Sequence, residues 1–91
     1  MNKYAVTEEL LLYKDKHPEH DIINCWWEIY HDKISKLPDD DVIMLVETLL
    51  IFYNDLGIED KVIFRTLIED FKKEKIGKKS LFNNIYFVLN V

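Results

Sequence analysis

Two prolines and two glycines are the only strong helix breakers in 91 residues, and the segments between them are patterned for helix. Thr7 can cap a first helix, with Glu8 and Glu9 in a first turn where negative charge complements the macrodipole. That helix, 8–16, stops because Pro18 disfavours helical geometry at His17. Pro18 suits the first position of a second helix, 18–36. There Ile23, Trp27, Tyr30, Ile34 and Leu37 step by four and three and share one side, widened by Ile22, Trp26 and Ile29. Leu37-Pro38-Asp39-Asp40-Asp41 reads as a stop and a restart, with an Asp capping a third helix, 39–56. Gly57 is expected to end it in the left-handed conformation, with Ile58 making the accompanying apolar contact. A fourth helix, 59–75, turns Ile63, Phe64, Leu67, Ile68 and Phe71 inward, and Gly77 ends it in the same way. The short connection predicts that the third and fourth helices are antiparallel neighbours. The segment 80–90 fits a helix capped by Ser80, yet Ile85–Leu89 is also a good short strand. With no partner strand to pair its backbone, helix is preferred.

The expected fold is therefore all-α, a compact bundle of four to five helices forming one domain over 1–91. Five Tyr, five Phe, two Trp and many Ile and Leu give a large apolar volume for the length. At roughly 1.5–3 kcal/mol per buried large side chain, they offset the ordering entropy without a metal or disulfide. The single cysteine, Cys25, excludes an internal disulfide and suits a reducing compartment. The apolar runs Val42–Val46 and Leu49–Tyr53 are split by Glu47 and Thr48, and together fall short of the roughly 20 residues of a spanning helix. The N-terminal residues lack the pattern of a signal peptide. A cytoplasmic location with no membrane partner is expected.

Charge divides unevenly along the chain. The net charge is −5 overall, −9 over residues 1–60 and +4 over 61–91. Net acidity disfavours a general nucleic-acid binder, which needs a positive field to displace counterions. It favours solubility and attraction to basic partners.

Catalytic and metal-binding motifs are weak. His17, His20, Cys25 and His31 lie within fifteen residues and are all zinc-capable, but a structural zinc site wants two ligand pairs at fixed spacing. Cys25 and His31 are six apart, so on one helix they point in different directions. No phosphate loop, paired-serine signature or HExxH appears. Neither a metal nor another cofactor is expected, and no enzymatic activity.

Surface patterns are more informative. Asp21, Cys25, Glu28, Asp32 and Ser35 fall within about 80° of arc on the second helix. On the third, a polar arc holds Asp40, Asp41, Glu47, Thr48, Asn54 and Asp55, with Met44 and Ile51 inside it. Apolar residues within an acidic stripe suit a dry anchor with a charged surround. Trp26 and Trp27 project about 100° apart, so one enters the core and the other lies near its edge. Lys72, Lys73, Lys75, Lys78 and Lys79 close the fourth helix and its loop, where positive charge suits the negative end of the dipole.

In size, helical content, single cysteine, net charge and acidic-plus-aromatic stripes, the chain resembles the small acidic immunity proteins of the colicin and contact-dependent growth-inhibition types. The Lys72–Lys79 run departs from their acidic character. The resemblance implies a non-enzymatic bacterial inhibitor that covers the basic active-site surface of a cognate toxin, a nuclease above all. Asp39, Asp40 and Asp41, with Glu28, Asp32, Glu47 and Asp55, are the candidate source of charge. Trp27, Met44 and Ile51 are the candidate apolar anchors. The free protein is expected to be a monomer or weak dimer. Two alternatives stand beside this reading. One is a small helical regulator touching nucleic acid through Lys72–Lys79; the other is a homo-oligomeric assembly subunit burying Met44, Ile51 and one free Trp against a second copy.

Overall fold

The computed structural model describes residues 2–90. Five α-helices and a 3-10 turn follow in order: α1 (Lys3–Lys16), α2 (Ile22–Tyr30), the turn Ile34–Lys36, α3 (Asp39–Phe52), α4 (Ile58–Lys72) and α5 (Lys78–Leu89). The fold is all-α, as expected, and the last segment is helix. No described helix is long and apolar enough to cross a membrane.

Helix boundaries differ from expectation, each for a local reason. Helix α1 starts five residues earlier than expected, because Asn2, not Thr7, is its cap: the Ala5 N–H donates to Asn2 Oδ1 at 2.9 Å. Pro18 lies not in α2 but in a turn closed by the His20 N–H on the His17 carbonyl at 3.0 Å. Helix α2 begins after Asp21 and ends at Tyr30, where bonding tightens to the i→i+3 type at Lys33 and Lys36. The bend keeps Ile34 buried while the 3-10 turn packs on α5. No Asp caps α3; Pro38 holds that position and its carbonyl accepts from the Asp41 and Val42 N–H groups. Helix α3 ends at Phe52 because Tyr53 leaves helical geometry, and its hydroxyl accepts from the Ile23 N–H at 3.1 Å. One of the orphan donors at the start of α2 is thereby satisfied by a side chain thirty residues away.

Neither glycine is left-handed. Gly57 (φ −63°) and Gly77 (φ −88°) stand at the N-caps of α4 and α5, and Ile58 is 81 % exposed rather than packed. The left-handed residue is Glu74, at φ 62°. The Glu74 N–H returns to the Phe71 carbonyl and the Lys75 N–H to the Asp70 carbonyl, closing a Schellman motif beyond α4. Ser80 is not a cap either; it lies inside α5 and accepts from the Asn84 side chain.

The core joins all five helices. Trp26 is its centre: its ring stacks on Phe82 with centroids 3.9 Å apart, and its Nε1–H donates to the Leu45 carbonyl at 3.2 Å. One side chain thus ties α2, α3 and α5 together. Val6 and Leu10 enter from α1, and Phe64 and Phe71 from α4. Ile63, expected inward, is 42 % exposed. Helix α4 packs chiefly on α5, and α3 packs on α1, α5 and α2. Helices α3 and α4, expected as antiparallel neighbours, face each other across a groove, α3 packing chiefly on α1 and α4 on α5.

Candidate functional site

The opening between α3 and α4 is a groove of about 350 Å³. Its α3 wall is Glu47, Leu50, Tyr53 and Asn54, and Leu56 lies in the connection. Its α4 wall is Lys61, Phe64, Arg65 and Ile68, followed by Glu69. The spacing 61, 64, 65, 68 is one helical stripe. The lining is mainly apolar, with charges of both signs, an arrangement suited to an apolar side chain entering with polar groups around it.

The exposed ridge of α3 borders this groove. Asp40, Glu47 and Ile51 are exposed, and Met44 is half-buried between them. Steps of four, three and four hold these residues on one face, whereas Asn54 and Asp55, expected on the same arc, are exposed but lie in the turn beyond the end of α3 because the helix stops at Phe52. Ile51 is 56 % exposed, an apolar side chain one helical turn from the Glu47 carboxylate. Across the groove, α4 exposes Ile58 and Val62 (53 %). Thr48, expected on the polar arc, is instead buried, and its hydroxyl donates to the Met44 carbonyl at 2.8 Å.

Other candidate residues are placed elsewhere. Asp39 turns to Lys78, at 3.8 Å, beside a second hollow formed with Phe71 and the loop 74–77. Asp41 is half-buried in the first turn of α3. Glu28 lies near Tyr13 of α1, and burial, then the Glu28 carboxylate, raises the Tyr13 phenol. Asp32 and Ser35 fall beyond the end of α2, and Cys25 is buried in the core, so the acidic stripe predicted for the second helix does not form. Trp27 is the edge tryptophan. Its ring lies 4.5 Å from Tyr86 and 5.4 Å from Phe82 and stacks on His31, so much of its surface is spent on α5. Tyr86 in turn donates to Asn24 Oδ1 at 3.0 Å, bracing this edge.

The lysine run is interrupted. Lys78 is engaged by Asp39, and Glu74 lies within the run. The four zinc-capable residues are not brought together. His31 Nδ1 stands 2.8 Å from the Trp27 carbonyl, and burial pushes the Cys25 thiol up despite the nearby Lys14 ammonium. His17 and His20 do meet, with Glu19. The groove itself was missed in the sequence because the short connection argued for a closed helix pair. The chain matches no protein-family model, no curated protein and no solved structure.

Proposed function

We propose that the chain is a non-enzymatic protein-binding module whose contact surface is the α3 ridge and the groove beside it. The observation that carries this reading is Ile51, an exposed apolar side chain one helical turn from Glu47, which lines an open and mainly apolar groove. Water contact with Ile51, Ile58 and Val62 is unfavourable by roughly 25 cal/mol per Å² of apolar surface, and a partner would remove it. Asp40, Glu47 and Asp55 select a partner of positive charge and speed its approach. In its most specific form this partner is a basic bacterial toxin, above all a nuclease, and the chain is its cytoplasmic immunity protein, covering the surface that would hold phosphate. Trp27 is engaged by α5 and contributes less than the ridge, while exposed Asp39 faces Lys78 across 3.8 Å at the other end of α3.

The test is charge removal on the ridge. Once the companion is isolated from the native cells, the triple variant Asp40→Asn, Glu47→Gln, Asp55→Asn should slow association and flatten its salt dependence, while dissociation changes little. An association rate insensitive to both the substitutions and salt would reject the ridge as the steering surface.

A further inference from the structure

The geometry points to a binding site for a zinc-like divalent metal ion on the turn His17–Pro18–Glu19–His20. The turn hydrogen bond from the His20 N–H to the His17 carbonyl, 3.0 Å, brings the two imidazoles to a centroid separation of 5.5 Å. Pro18 occupies the position where its fixed φ favours such a turn. Glu19 Oε1 stands 3.8 Å from His17 Nδ1 and 3.5 Å from His20 Nε2. One donor atom from each of the three side chains lies within 4.8 Å of the others. Bonds of about 2.0–2.1 Å in tetrahedral geometry place donor atoms about 3.4 Å apart, so small side-chain rotations close the set.

The backbone beneath is already held. Lys14 Nζ donates to the Pro18 carbonyl at 2.8 Å and also to the His20 carbonyl, strapping both sides of the turn to α1. The His17 N–H returns to the Tyr13 and Lys14 carbonyls, and the His17 ring packs on Tyr13 at 4.5 Å. The Lys14 ammonium opposes a cation, but two of its three donors hold it on those carbonyls, and Glu19 supplies countercharge beside the two rings. Two imidazoles and one carboxylate suit zinc, copper or nickel; magnesium and calcium prefer oxygen alone. Three protein ligands leave a position for water or for a group from another molecule.

The experiment titrates Zn²⁺ into the chelator-stripped full chain in a non-coordinating buffer at neutral pH, following histidine ring resonances by NMR. His31 is the internal control, since its ring stacks on Trp27 and its Nδ1 faces a carbonyl. The His17 and His20 rings should shift together and saturate at one equivalent, the His31 ring should stay, and Tm should rise. His17→Asn and His20→Asn should each weaken binding about tenfold or more, since even outer-shell partners are worth that much. Circular dichroism checks that these substitutions, at half-buried positions, leave the fold intact. Three outcomes each overturn the site: no ring shifts, a shift of all three histidines without saturation, or equal Zn²⁺ affinity in the His17→Asn and His20→Asn variants. Equal affinity in the urea-unfolded chain overturns it too, because the turn would then contribute nothing.

Discussion

Tyr53→Phe removes a single oxygen and should loosen the start of α2. The Tyr53 hydroxyl accepts from the Ile23 N–H at 3.1 Å, and Ile23 is 1 % exposed. Ile23 is the second residue of α2, so its N–H has no partner within the helix. A buried donor stripped of its acceptor costs about 1–3 kcal/mol. Tyr53 is only half-buried and lines the groove, so water can approach, which favours the lower part of that range, about 1–2 kcal/mol. For a domain of this length each kcal/mol moves Tm by about 4–8 °C, so the variant should melt roughly 5–15 °C below the parent. Thermal and urea denaturation followed by circular dichroism measure the loss. Hydrogen exchange at Ile23 localises it, because that amide should exchange faster while the α4 amides keep their protection. A Tm within 2 °C of the parent, with Ile23 protection unchanged, would refute the cap as a stabilising contact (the expected drop being several-fold larger).

Three further outcomes are expected. Glu74→Gly should raise stability by about 0.5–1 kcal/mol, because Glu74 sits at φ 62° where an L side chain is strained; an unchanged urea midpoint would count against the Schellman cap. Cys25, with no exposed surface and a thiol pushed up by burial, should react with a thiol reagent only as the chain unfolds; rapid labelling in native buffer would contradict its place in the core. Alkaline pH should destabilise the fold. Burial raises the Tyr53 phenol, and burial with the neighbouring Glu9 carboxylate raises Tyr30 further, above the ordinary value of 10. A phenol raised on folding contributes stability fully below its unfolded pKa and loses it as pH climbs from there toward the folded value. The urea midpoint should therefore hold from pH 8 to about 10 and then fall, less steeply in Tyr30→Phe; a decline that begins near neutral pH would point to other groups.

The helical class was legible because apolar steps of three and four recur in all the inner stripes: Ile23 with Trp26 and Tyr30, Val42 with Leu45, Val46 and Leu49, and Leu81 with Phe82 and Ile85. Helix ends were less legible because caps compete. Asn2 displaced Thr7, and Pro38 with ordinary backbone carbonyls did the work assigned to an Asp. A glycine near a helix end carries two meanings. Gly57 and Gly77 open helices instead of closing them, and the strained closing position fell to Glu74, which no composition rule marks. At the candidate site, the wheel of α3 correctly grouped Asp40, Met44, Glu47 and Ile51, because position on a helix is fixed by spacing. It misplaced Thr48, whose hydroxyl bonds its own helix and so can be buried cheaply. The groove was not legible because it depends on α3 packing chiefly on α1 and α4 on α5, a tertiary fact that connection length does not carry.

The central claim is that a partner seats on the α3 ridge. The most direct measurement is the mass of the intact assembly isolated from the native cells at native expression, for the parent and for Ile51→Lys. Ile51 is exposed, so the substitution should leave the melting curve within about 0.5 kcal/mol of the parent. The parent should carry a 1:1 basic companion that Ile51→Lys fails to retain. A parent that is a bare monomer or homodimer, or a companion retained equally by the variant, would contradict the account.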